Sequence, residues 1–187
     1  MRVIKALSLL FILCFTITFS QEAFTEQYSL LVSLTGNIST NKVGPLYDDR
    51  GAVVEEIYLT AQGNVFVQNN IFAGLAVDYA EITTGNQTVS TTFFGPNIGY
   101  AVAVMEGKLF PYASASVKLV NYSYGDLQFF KGPSYSFSAG VIMPIKDHLG
   151  LNLEAGYYAI KLKDKMATDY TSGDEIRVSI GLSGLIF

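Results

Sequence analysis

The chain has 187 residues, half of them hydrophobic and 15% charged, with 12 Tyr, 13 Phe and 17 Gly. So little charge excludes a disordered acidic tail and a coiled coil, and a net charge of -4 with few cations excludes a nucleic-acid binder. One Cys and one His exclude a Cys/His zinc site and leave almost nothing for a nucleophilic triad.

The first twenty residues read as a cleaved secretory signal. Arg2 and Lys5 form a short basic region, and Ala6 to Phe19 form an apolar stretch, shorter than the roughly 20 residues of a membrane helix. Thr18 and Ser20 are the small residues of a cut after Ser20. Residues 1–20 are therefore expected to be removed and residues 21–187 to form the domain. Leu13 before Cys14 does not suit lipoprotein cleavage. The mature chain loses Arg2 and Lys5, keeps ten basic residues against sixteen acidic ones, and has no cysteine for a disulfide.

After the signal, period-two alternation replaces helical spacing. It predicts eight strands: Tyr28 to Thr35, Glu56 to Val67, Ile71 to Glu81, Phe93 to Met105, Leu109 to Tyr124, Tyr135 to Met143, Leu151 to Ala159 and Glu175 to Phe187. Four expected connections are long and polar: Gly36 to Glu55, Ile82 to Thr92, Gly125 to Ser134 and Ile160 to Asp174. The three between them are short. Alternating long and short connections are the pattern of an outer-membrane barrel, and an even strand count puts both termini on the periplasmic side.

The two faces of each strand separate membrane from water. The second strand sets Ile57, Leu59, Ala61, Val65 and Val67 against Glu56, Tyr58, Thr60, Gln62 and Asn64. The eighth sets Ile176, Val178, Ile180 and Leu182 against Arg177, Ser179, Gly181 and Ser183. A soluble lipocalin-like barrel would turn the apolar face inward and stud its other face with Lys and Glu. Here that other face is mostly small and uncharged, which suits the cramped lumen of an eight-stranded barrel, with the apolar face toward lipid. The expected fold is all-β: an eight-stranded antiparallel up-and-down transmembrane β-barrel.

Four charges interrupt the small-residue face: Asp78, Lys118, Glu154 and Arg177, two of each sign. They are expected to form a neutral network in the lumen, because a buried charge without a partner costs several kcal/mol. Asp78 and Arg177 are the expected closest pair. Tyr28, Tyr79, Tyr100, Tyr157 and Phe187 are expected at headgroup level near strand ends.

Several segments carry a resemblance. Gly95-Pro96-Asn97-Ile98-Gly99-Tyr100, Phe110-Pro111-Tyr112-Ala113, and the hairpin from Ser138-Ala139-Gly140-Val141 through Leu153-Glu154-Ala155-Gly156-Tyr157 are similar to segments of the small eight-stranded outer-membrane barrels, the OmpA/OmpX-like group in its Bacteroidetes form. The resemblance covers most of residues 28–187. It implies that the terminal Phe187 serves as the signal read by the barrel-assembly machinery, although Leu185 stands where that signal usually has a second aromatic. Members serve as structural anchors, adhesins, resistance factors or secretion components, so membership names no single role.

No catalytic constellation emerges. His148 lies in a turn expected at the periplasmic end, away from any outer-leaflet substrate. Asp48-Asp49 and Glu55-Glu56 are adjacent pairs whose side chains point to opposite sides of an extended segment. Asp164, Asp169 and Asp174 could offer oxygen ligands to Ca²⁺, but Lys161, Lys163 and Lys165 beside them point to mixed surface charge, with no metal called for. The sequons at Asn37, Asn86 and Asn121 matter only in an exported eukaryotic chain. The sequence thus points to a non-enzymatic barrel of the bacterial outer membrane, without cofactor or nucleic acid, acting structurally or through four long outer loops. Its expected partners are membrane lipid, the barrel-assembly machinery and a surface ligand or envelope protein. The alternatives are a barrel component of a secretion or envelope assembly, and a soluble periplasmic lipocalin-like barrel that binds a ligand.

Overall fold

The computed structural model describes residues 27–43, 55–84, 87–124, 127–146, 148–164 and 169–186. Phe187 and the expected signal at residues 1–20 lie outside the described residues. Eight strands run in chain order: β1 (Leu30–Val43), β2 (Glu55–Gln68), β3 (Ile71–Thr84), β4 (Gln87–Ala101), β5 (Phe110–Tyr124), β6 (Leu127–Lys146), β7 (Leu149–Asp164) and β8 (Tyr170–Ile186). Each pairs antiparallel with its sequence neighbours, and β1 pairs with β8 from Leu30↔Ile186 to Val43↔Asp174, closing the barrel. Closure leaves no open sheet edge, which is the condition for β-structure in lipid.

Alternation sorts the side chains as expected. On β8, Ile176, Val178, Ile180 and Leu182 are exposed on the outside while Glu175, Arg177, Ser179 and Ser183 are buried. Leu34, Leu59, Leu75, Phe94, Ile98, Val117, Leu119 and Phe137 continue the apolar outer band around the wall. The soluble alternative required the opposite orientation, with the apolar face inside.

The strands are longer than expected and the connections correspondingly shorter. At the end away from the termini, residues 44–54, 85–86, 125–126 and 165–169 separate the strands, so four long outer loops are not what the chain builds there. β3 and β4 stay paired out to Thr84↔Gln87, and β5 and β6 out to Tyr124↔Leu127. The reason is physical. Beyond the apolar band both faces of a strand are wet, so alternation fades while the backbone ladder continues. Gly85-Asn86 and Gly125-Asp126 are residue types suited to two-residue hairpins, a signal the apolar pattern overshadowed.

At the other end β4 stops at Ala101 instead of Met105. Residues 102–109 form the turn to β5, pinned by a Val104↔Leu109 bridge. Met105, Glu106 and Gly107 have φ of 52°, 59° and 75°. Alternation of long and short connections is therefore not strict.

Candidate functional site in the barrel lumen

The lumen is filled in layers. Nearest the termini, Leu31, Phe66, Phe72, Phe110, Tyr112, Ile142 and Leu185 pack into one cluster. Phe66 and Phe72 meet edge to face with ring centroids 5.8 Å apart, and Phe72 and Tyr112 lie 6.5 Å apart, both within the favourable range for such pairs. Two glycines make room for these rings. Phe72 lies directly across from Gly99, where a Cβ would come within 2.2 Å of the Phe72 ring. Tyr112 lies across from Gly140, where a Cβ would stand 2.6 Å from its hydroxyl.

The next layer is built from small hydroxyls and amides. Ser114 and Ser138 are cross-strand partners with Oγ atoms 2.8 Å apart, and the adjoining pair Ser116 and Ser136 lies at 2.6 Å. Ser33 and Ser183 repeat the arrangement between β1 and β8 at 2.7 Å. Asn97 Nδ2 donates to Gln62 Oε1 at 3.3 Å. Between these groups and Lys118 lies a cavity of ≈ 10 Å³, about the room of one water.

Above it sits the charged layer. Lys118 Nζ donates to Asp78 Oδ2 at 2.7 Å and to Oδ1 at 2.9 Å. Arg177 Nη1 lies 3.7 Å from the same Asp78 Oδ2. The rest of the guanidinium engages Glu175: Nε donates to Oε2 at 2.7 Å, and Nη2 points to the same oxygen. The Tyr58 hydroxyl donates to Glu175 at 3.2 Å. The guanidinium carbon stands 4.0 Å from the ring centroids of both Tyr58 and Tyr158, and 5.0 Å from that of Phe93. A planar, weakly hydrated cation suits this stacked position. Asp78, Lys118, Glu175 and Arg177 are all at most 3% exposed.

Of the four charges singled out from the sequence, three meet. Asp78, Lys118 and Arg177 form one cluster, with Lys118 rather than Arg177 as the nearer partner of Asp78. Glu154 is held apart by Tyr112, whose hydroxyl donates to its Oε2 at 2.7 Å and lies 3.0 Å from Asn152 Oδ1. Glu175 was not expected among them. Its signal is the i, i+2 spacing to Arg177, which puts both on one face of a strand, but it stood at the expected start of its strand. A second apolar group closes the lumen beyond the charges: Ala80, Val120, Ile160 and Leu162, packed with Tyr58, Phe93 and Tyr158.

His148 is at the end that carries the termini. Its Nδ1 is 3.1 Å from the Leu185 carbonyl oxygen, and Leu185 N–H donates to the His148 carbonyl at 3.0 Å. Among the described residues no group of three or more His, Cys, Asp or Glu is placed to hold a metal. The lumen's chemistry is charge neutralisation, stacking and exclusion of water.

The family model described as "Outer membrane protein beta-barrel domain" matches residues 11–183. The chain belongs to this family. Among solved structures it is similar to Neisserial surface protein A at 15% identity, covering 83% of this chain and 96% of that one with a TM-score of 0.62. It is also similar to OprG from Pseudomonas aeruginosa, at 11% identity with 86% and 97% covered and a TM-score of 0.55. AlkL, solved in DMPC lipid bilayers, shares 18% identity over 90% of this chain and 94% of that one, with a TM-score of 0.56. At these identities the likeness concerns the fold. No curated protein sequence matches the chain.

Proposed function

We propose that this outer-membrane family member is a non-enzymatic integral barrel with a closed lumen, acting structurally or through contacts at the rim away from its termini. The observation that carries the reading is the layered filling of the lumen. An apolar cluster at each end encloses ion pairs that have no exposed side chain among them. A water-filled conduit needs a continuous polar path, and here aromatic rings occupy the section that such a path would use.

In this reading both termini face the periplasm, the side from which an exported chain enters the outer membrane. The opposite rim then faces outward, and the strand ends that rise past the apolar band are the surface offered to a ligand or envelope protein. The lumen network of Asp78, Lys118, Arg177 and Glu175, with Glu154 on Tyr112, serves as a plug and a stabiliser.

Planar-bilayer recording of the purified full chain tests the plug. The reading expects a silent bilayer after insertion confirmed by protease protection. Steady, porin-like current from the unmodified protein would overturn it.

A further inference from the structure

Three lysines on the outer wall carry an inference beyond the lumen. Lys131 on β6 and Lys163 on β7 are direct cross-strand partners, which sets their Cα atoms about 4.5–5.5 Å apart. Lys161 follows on the same face of β7, about 6.6 Å along the strand. The face is the outer one, because in the same register Phe137 pairs with Tyr157 and both are exposed. Three ammonium groups thus fall within about one Debye length, near 8–10 Å at ordinary salt.

Like charges directly opposite one another destabilise a ladder, and nothing described here neutralises them. None of the three makes an ion pair with another described residue. The outward carboxylate of the neighbouring strand, Asp174, pairs with Ala159 in the ladder and takes a hydrogen bond from Tyr157. Lys163 holds its amine 5.8 Å from the Tyr170 ring centroid. That contact positions the charge and supplies no counter-anion.

The patch also has a defined height on the wall. Leu119 lies across from Pro133, two residues before which stands Lys131, and Leu119, Tyr135 and Tyr157 are exposed in the apolar band just below. Amphipathic tyrosines and long lysines at that level mark the boundary between acyl chains and headgroups.

We propose that Lys131, Lys161 and Lys163 bind the phosphate groups of a lipid headgroup, with its acyl chains lying against Leu119, Tyr135 and Phe137. A phosphate monoester brings up to two negative charges and several acceptor oxygens to three point-charge donors. The lipid is the occupant because the amines lie flush with an apolar wall, where a soluble anion would gain no contact below the phosphate. This inference rests on the orientation proposed above for assigning the lipid to the outer leaflet.

The test uses the full chain in phosphatidylcholine nanodiscs containing either diphosphorylated lipid A or its dephosphorylated form. Lipid retained on the protein is counted by native mass spectrometry. The unmodified protein should retain the phosphorylated form about tenfold or more over the other. K131Q/K161Q/K163Q should lose that preference while keeping its heat-dependent mobility shift, and K108Q/K146Q at the opposite rim should keep both. Equal retention of the two lipids, preference surviving in the triple variant, or displacement by inorganic phosphate alone would each overturn the proposal. Labelling of Asp169→Cys, in the exposed bend that precedes β8, in intact cells by an impermeant maleimide tests the orientation separately. If labelling requires a broken outer membrane, the orientation fails, and a retained preference in nanodiscs then assigns the lipid to the inner leaflet.

Discussion

The two halves of the lumen are filled by different physics. Near the termini, Phe66, Phe72, Phe110, Ile142 and Leu185 exclude water by shape, as in any dry protein core. In the other half the filling is Arg177, stacked between Tyr58 and Tyr158 and paired with Glu175 and Asp78. Removing atoms from the first half leaves an apolar hole that tends to stay dry. Removing a partner from the second leaves a charge that must recruit water. The same plug is therefore tolerant of damage at one end and intolerant at the other.

Arg177→Met is expected to break that comparison most sharply. Asp78 keeps Lys118 but Glu175 loses the Arg177 guanidinium, and breaking a buried pair costs about 3–5 kcal/mol. Urea unfolding followed by tyrosine fluorescence should show the midpoint falling, and bilayer recordings should show intermittent current as water enters the layer. Stability like that of the unmodified barrel would mean that the charged layer carries no such strain when halved.

Phe72→Ala should cost about 3 kcal/mol through lost burial and the cavity it leaves. Here the same recordings should stay silent, since the new hole is lined by Phe66, Phe110 and the other apolar neighbours. Current through this variant with none through Arg177→Met would invert the comparison.

Tyr112→Phe removes the donor to Glu154 while keeping the ring that packs on Phe72. Glu154 keeps its hydrogen bond with Ser138, and one lost hydrogen bond to a charged group costs about 1.5–3 kcal/mol, so the loss should fall below that of Phe72→Ala in the same unfolding assay. Ser33→Ala should have the smallest effect, about 1 kcal/mol, as it removes one neutral hydrogen bond to Ser183.

How much of this was legible in the sequence depends on which force shaped each part. The band in contact with lipid imposes strict alternation, so the eight strands and their two faces could be read from residues such as Ile176, Val178, Ile180 and Leu182. The strand ends could not, because Thr83, Thr84, Gln87 and Thr88 are polar types without apolar alternation, although the backbone ladder continues through them. Asp78, Lys118 and Arg177 stood out as charges on a small-residue face, and the structure brings them into one cluster. Their partner Glu175 lay at a boundary that alternation could not fix.

The inward aromatics were legible only in part: alternation set Tyr58 and Phe72 on the lumen face, where both are buried, but not their packing into a plug. High β propensity explains rings anywhere on a strand, so Phe66, Phe72 and Tyr112 gave no sign of direction by type alone. The clue lay across the ladder, in Gly99 opposite Phe72 and Gly140 opposite Tyr112. A ring that covers a cross-strand glycine is a recognised device in curved sheets, but it becomes visible only once the register is known. Tyr79 and Tyr157 do face outward, as expected for the interface.

The central claim is that the apolar face meets lipid and the polar face is a filled interior. Envelope fractionation with gels of unboiled and boiled samples tests it most directly. The account predicts recovery in the outer-membrane fraction and a mobility shift on boiling, because a closed ladder resists unravelling in detergent. A protein recovered soluble without detergent and showing no shift would contradict it.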